Sequence, residues 1–143
     1  LELKDLELDS YFFKDTSNDT IWHLNENDKV DRIKDFLNEV SLSKFTFCPR
    51  GNGSSSFRLF ESLEAGSVPI ITGMIDYPFI DVVDWDSFSI RGESIEDLPV
   101  LIEKSKNLTD KEYEVMRQNG IDFWEQYCRL DNYHDWVITE FLL

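Results

Sequence analysis

The sequence predicts an α/β fold: a Rossmann-like, doubly wound, mostly parallel sheet with helices on both faces and a helical carboxyl-terminal tail. Three observations carry that expectation. Strand-length apolar runs alternate with amphipathic helical stretches through the middle of the chain. The run Val68 to Thr72 is nearly all apolar, as expected for a parallel strand covered on both faces. From residue 92 to residue 143 the apolar spacing is helical.

The 143 residues form one domain of ordinary size, long enough to bury a core. Hydrophobic content of 41% and aromatic content of 14% argue for a packed globule despite 30% charged residues. A formal net charge of −15 argues against nucleic acid or an anionic membrane as partner, since both require a basic surface. The two cysteines, Cys48 and Cys128, do not make a disulfide framework, and no metal-type Cys/His spacing occurs. No apolar run reaches membrane-spanning length and no signal peptide is read. The start at Leu1, without methionine, suggests a fragment of a longer protein.

Residues 1–24 are the least legible. Tyr11 to Phe13 and Ile21 to Leu24 read as two short strands around a turn-forming run. A helix is predicted from Asn27 or Asp28 to Val40, because Val30, Ile33, Phe36, Leu37 and Val40 repeat at three and four, the stripe that packs on a sheet. Asp28, Asp31, Asp35 and Glu39 then form its solvated face. Phe45 to Cys48 is a strand that Pro49 closes. Ser54, Ser55 or Ser56 caps the central helix, whose buried face is Phe57, Leu59, Phe60 and Leu63. Gly66 stops it, and strand Val68 to Thr72 follows.

Asp84, Trp85 and Asp86 read as packing plus a turn, leading into a strand at Phe88 to Ile90. Ser94 caps a helix holding Ile95, Leu98, Leu101 and Ile102. Thr109 and Glu112 form a capping box for the next helix, which Gly120 is expected to kink. Trp136, Val137, Phe141 and Leu142 belong to a final helix. Trp124 and Tyr127 are expected in the core rather than stacked on a sugar.

In such sheets ligands bind at the carboxyl ends of the strands, where strand order reverses. The loops Arg50 to Ser56 and Gly73 to Phe79 both belong at that edge. Gly51 and Gly53 allow close backbone approach, and Ser54, Ser55, Ser56 and the first helical N–H groups donate to phosphate oxygens. Arg50 and Arg58 place positive charge locally in an acidic chain, and Arg58 suits a pyrophosphate. Glu61, three residues on, shares its face and suits vicinal ribose hydroxyls. Asp76 and Tyr77 are candidate contacts to sugar or base. The elements together describe a nucleoside diphosphate site. For each of these residues a bland reading also stands: a surface ion pair, a tight turn, a solvated loop.

The ordered residues Cys48, Pro49, Arg50, Gly51, Gly53, Ser56, Arg58, Glu61, Ala65, Gly66, Pro69 and Ile71 resemble the exostosin-type glycosyltransferases. So does the following set Pro78, Phe79, Val82, Val83, Asp84, Trp85, Phe88 and Ser89. The resemblance is clear over residues 44–91 and looser in the tail. It implies the carboxyl-terminal, donor-binding half of a GT-B fold, taking a nucleotide-sugar, usually UDP-linked, without a metal or other cofactor. It implies that Arg58 contacts the diphosphate and Glu61 the ribose. It further implies hexosyl or pentosyl transfer to a carbohydrate or glycoconjugate hydroxyl, with an acceptor-binding half missing from this chain and the fragment alone inactive. No residue has a spacing argument for a catalytic base.

Two alternatives stay open. One is an NAD-type dehydrogenase using Gly51, Gly53 and Ser56, which lacks the acid closing the second strand. The other is a non-catalytic nucleotide- or sugar-binding scaffold. Asn52, Gly53 and Ser54 make an N-glycosylation sequon inside the loop. A glycan there blocks the site, which leans toward the cytoplasm over a secretory lumen such as the Golgi.

Overall fold

A computed structural model describes residues 25–51, 53–54, 56–132 and 138–139. The strands expected at Tyr11 to Phe13 and Ile21 to Leu24 lie outside the described residues, as do Asn52, Ser55, Trp136, Val137, Phe141 and Leu142.

Helix α1 spans Glu26–Leu42, two residues longer at its carboxyl end than its apolar stripe predicts. Asn25 caps it, its side chain accepting from the Asp28 N–H at 3.0 Å. The stripe does not bury as expected. Val30 and Ile33 are exposed, Phe36 and Leu37 half-buried, and Val40 alone is buried. Among the described residues α1 packs chiefly on the central helix α2 (Phe57–Glu64), with its carboxyl-terminal half, where Phe36 meets Arg58. Asp28, Asp31 and Asp35 are exposed as predicted.

The sheet has three parallel strands, β1 (Phe45–Pro49), β2 (Val68–Thr72) and β3 (Ile90–Gly92), in the order β1-β2-β3. Register pairs Phe47 with Ile70 and Ile70 with Ile90, and Cys48 with Ile71 and Ile71 with Arg91. Alternation therefore sends two rows to opposite faces. Cys48 and Ile71 face α2 and share a buried cluster with Leu59, Leu63, Ile75, Trp85, Phe88 and Phe123. Phe45, Phe47, Ile70 and Ile90 face the other way, onto Leu98, Leu101 and Ile102 of helix α3 (Leu98–Lys106). Both faces are covered, which is why every residue of β2 is buried. This architecture fits a Rossmann-like α/β fold. Strand order does not reverse among the described residues, so the expected switch point is not part of the described sheet.

Helix α2 ends in a Schellman motif. Ser67 N–H donates to Ser62 O at 2.9 Å and Gly66 N–H to Leu63 O at 3.1 Å, with Gly66 at φ +73°. Leu59, Ser62 and Leu63 form its buried face, whereas Phe57 is 90% exposed, contrary to expectation. Phe57 is the first helical residue, and the buried face starts two residues later, at Leu59.

No helix spans the crossover from β2 to β3. Residues 74–89 cross the α2 face as a loop pinned by Trp85, which is 1% exposed and donates from Nε1 to Pro78 O at 3.0 Å. Asp84 caps the single 3-10 turn Trp85–Ser87 by accepting from Asp86 N–H at 3.0 Å, the packing and turn roles expected for this segment. The third strand begins two residues after its expected start. Phe88 is committed to the aromatic cluster, stacked on Phe123 with centroids 4.9 Å apart, and Ser89 Oγ donates back to Trp85 O, so ladder pairing starts at Ile90.

Ser94 precedes a 3-10 turn, Ile95–Asp97, that runs into α3. Thr109 and Glu112 form the predicted capping box of α4 (Asp110–Phe123), with Thr109 N–H donating to Glu112 Oε2 at 2.8 Å and Glu112 N–H to Thr109 Oγ1 at 3.2 Å. Gly120 does not kink α4. The helix runs through it and widens into a π turn at Trp124–Cys128.

Gly66→Ala is expected to cost about 1–2 kcal/mol, the penalty of a Cβ in the left-handed region. Urea unfolding checks this; a loss below about 0.5 kcal/mol means that the α2 terminus relaxes out of the motif.

Candidate functional site

The two loops expected at the carboxyl edge are brought together there. Arg50 N–H donates to Thr72 O at 3.0 Å and Gly73 N–H to Gly92 O at 3.2 Å, extending both ladders past the last strand residues. The loops are then joined directly, Asp76 N–H donating to Ser54 O at 2.8 Å. Gly73 makes room for this. It has φ +92°, and a Cβ there would lie 3.0 Å from Arg50 Cβ, so the Arg50 side chain passes over it. Arg50 Nε in turn donates to Gly53 O at 3.3 Å, closing the first loop on itself.

Gly51, Gly53 and Ser54 are exposed; Ser56 is buried and occupies the N-cap of α2, without a side-chain cap hydrogen bond. Ser55 lies outside the described residues.

Arg58 and Glu61 share one face of α2, as their spacing predicts, with Nε and Oε2 3.8 Å apart and both side chains partly exposed. That distance is longer than a hydrogen bond, so each keeps its hydrogen-bonding capacity. The guanidinium lies 4.3 Å above the Phe36 ring of α1, a cation–π contact that local spacing does not reveal. Both charges act on the Cys48 thiol, which places them within electrostatic reach of the carboxyl end of β1.

Cys48 itself is fully buried, with Sγ 3.4 Å from Thr46 O and 3.6 Å from Ser62 Oγ. Burial pushes its thiol up to about 12, and burial does the same for Cys128. Neither cysteine is a nucleophile at neutral pH.

Asp76 is exposed beside the joined loops. Tyr77 is half-buried, its ring 4.9 Å from Trp85 and under the Arg91 guanidinium at 4.8 Å. Burial raises its phenol pKa. Arg91 reaches Asp86 twice, Nε to Oδ1 at 2.9 Å and NH2 to Oδ2 at 2.7 Å, and this hydrogen bonding holds the Asp86 carboxyl below its usual range. Arg91 and Asp86 escaped the sequence reading because five residues separate them across a turn.

Beside the loops, an apolar groove of about 840 Å³ runs between Phe57, Phe60, Phe79, Val82, Trp124 and Tyr127. Trp124 and Tyr127 pack partly on the core, as predicted, and partly line this groove. Among the described residues no group of three or more His, Cys, Asp or Glu is arranged to hold a metal ion, and no helix is long and apolar enough to cross a membrane.

A parallel α/β sheet with a Gly/Ser loop opening a helix at its carboxyl edge defines a Rossmann-like domain. The exostosin GT47 domain profile matches residues 9–105, more than half of the chain. A probable glycosyltransferase of Arabidopsis thaliana is 38% identical over 73 residues, covering 50% of this chain and 14% of that protein. The exostosin-1 homolog of Caenorhabditis elegans is 28% identical over 117 residues, 76% of this chain and 30% of that one. Exostosin-1 of Bos taurus is 30% identical over 91 residues, 60% of this chain and 12% of the relative. The chain belongs to the exostosin GT47 family and is an exostosin-like glycosyltransferase domain. It spans less than a third of the length of each of these relatives.

The Cys48 thiol sets a pH dependence. Its folded pKa is raised, so the folded state retains a proton that the unfolded chain releases above its ordinary value of 9.0. This stabilisation is complete below pH 9 and declines as pH rises toward 12, by up to about 1.4 kcal/mol per pH unit. Urea unfolding across that window should show a shallower loss for Cys48→Ala than for the unaltered chain; parallel curves would mean that the thiol ionises equally in both states.

Proposed function

We propose that this domain binds the nucleoside-diphosphate end of a sugar donor, UDP-linked, in a glycosyl transfer to an acceptor hydroxyl. One observation carries the reading: Arg58 and Glu61 stand on one face at the opening of α2, beside a loop that Asp76 N–H fixes through Ser54 O. The free N–H groups at the helix start, with the positive end of its dipole, favour the pyrophosphate, and Arg58 adds a charge-assisted fork. Glu61 accepts from the ribose hydroxyls. Arg50, Gly51, Gly53, Ser54, Ser55 and Ser56 complete the donor loop, with Asp76 beside it.

In the transfer, the acceptor oxygen bonds to the anomeric carbon and the bond from that carbon to the β-phosphate oxygen breaks. The electron pair leaves with the nucleoside diphosphate, and the acceptor proton passes to a base. Arg58 and the helix amides lower the barrier by meeting charge that develops on the leaving group. The family resemblance supports a donor-binding half of a GT-B fold, with the base and the acceptor site contributed by a second half. On this reading a hexosyl or pentosyl group is transferred without a metal ion, and this chain alone binds donor without turning it over.

A non-catalytic nucleotide-binding scaffold is the second reading, favoured by the partners Arg58 and Arg50 already have in Phe36 and Gly53.

A thermal-shift titration with UDP, GDP, NAD and simple sugars tests these. UDP at about a hundred times its Kd is expected to add about 2.7 kcal/mol to the folded state and raise Tm by several degrees without divalent metal. Arg58→Ala should abolish the shift and Glu61→Gln should weaken it. A response to NAD alone would replace the donor reading with a dehydrogenase-type site, and silence toward every nucleotide would remove nucleotide binding altogether.

A further inference from the structure

We propose that Arg91 is a positioning residue for the two-loop site, acting through Tyr77; the proposal rests on the reading of that site as a nucleoside-diphosphate site. Arg91 is paired in register with Ile71, so its side chain leaves β3 toward the α2 face, the face that the loop 74–89 crosses. There its guanidinium does two things at once. It meets both oxygens of Asp86, at 2.9 and 2.7 Å, and it lies 4.8 Å over the Tyr77 ring.

Asp86 is itself fixed, because it belongs to the single turn anchored by the fully buried Trp85. Trp85 also packs at 4.9 Å on Tyr77 and donates to Pro78 O at 3.0 Å. Tyr77 and Pro78 are thus gripped from the turn and from the strand together.

The residue just before Tyr77 ties into the donor loop, Asp76 N–H donating to Ser54 O at 2.8 Å. Backbone geometry at Asp76 follows from where Tyr77 is held. A guanidinium suits this role because one planar group presents its edge to a carboxylate and its face to a ring; an ammonium offers a point charge and no such division. Tyr77 is the one candidate donor contact that Arg91 touches, and the argued effect of Arg91 on the donor loop passes through it to Asp76.

The test compares the 143-residue chain with Arg91→Met, Arg91→Lys and the control Gly66→Ala, which loosens α2 at the opposite edge of the sheet. Amide exchange at Asp76 is read by NMR and UDP affinity by calorimetry. Arg91→Met and Arg91→Lys are both expected to speed Asp76 exchange and to weaken UDP by about tenfold or more. Gly66→Ala should move each by less than about twofold, despite its global loss of stability. Unchanged Asp76 exchange in Arg91→Met overturns the positioning role whatever UDP does. Equal losses in the Gly66→Ala control overturn it too, since the effect is then one of stability. If the unaltered chain does not bind UDP, the donor reading fails, and the exchange arm still decides whether Arg91 holds the loop.

Discussion

The carboxyl edge of this sheet depends on Trp85. A parallel crossover is ordinarily built on a helix, whose internal hydrogen bonds order the backbone before it packs. The β2–β3 crossover has only a single 3-10 turn, so its order must come from side chains. Trp85 supplies it by burying its whole indole against Tyr77, Phe88 and Phe123 while its N–H satisfies Pro78 O. A side chain of that size has enough apolar surface to offset the entropy of ordering a long loop, and its one polar atom is paired. Tyr77 and Pro78, just past the Asp76 link to the Gly/Ser loop, are held from this anchor.

Electrostatics add a second constraint. With a net charge of −15, the chain repels anions at long range. Screening shortens that field to about 8–10 Å in physiological salt, so what an anion meets at contact is decided by its nearest groups. At the opening of α2 those are Arg50, Arg58 and the helix amides. Glu61 opposes them, and its 3.8 Å separation from Arg58 makes a looser ion pair than a hydrogen-bonded one. A tight bidentate pair, like that of Arg91 with Asp86, would have been a closed structural unit.

Much of this was legible from the chain. The strand–loop–helix–strand unit from Phe45 to Thr72, the stop at Gly66 and the Thr109–Glu112 box all follow from local chemistry, and the structure has them. What misled was pattern without context. Val30, Ile33 and Phe57 carry correct helical periodicity but sit where no neighbour covers them. Phe88 and Ser89 look like strand residues, and the pull of the aromatic cluster and of Trp85 O moves the strand start past them. Gly120 reads as a breaker, yet a Cβ there would lie 3.2 Å from Leu63 Cδ2, so its smallness serves helix packing. The site splits along the same line. Arg58 and Glu61 announce themselves by spacing, whereas the contacts of Phe36 with Arg58 and of Arg91 with Tyr77 are tertiary.

Helix α2 shows how one short element can pack on a sheet and on a neighbouring helix together. In eight residues it commits Leu59, Ser62 and Leu63 to the sheet and stacks Arg58 on α1. Around its remaining surface the positions run Arg58, Glu61, Phe57, Glu64 and Phe60, so charged and aromatic side chains are interleaved. Arg58 stacks on Phe36 of α1, and Phe57 and Phe60 form a wall of the neighbouring groove. The register of β1 against β2 fixes the strands between which α2 crosses, and so the position of the helix on the sheet.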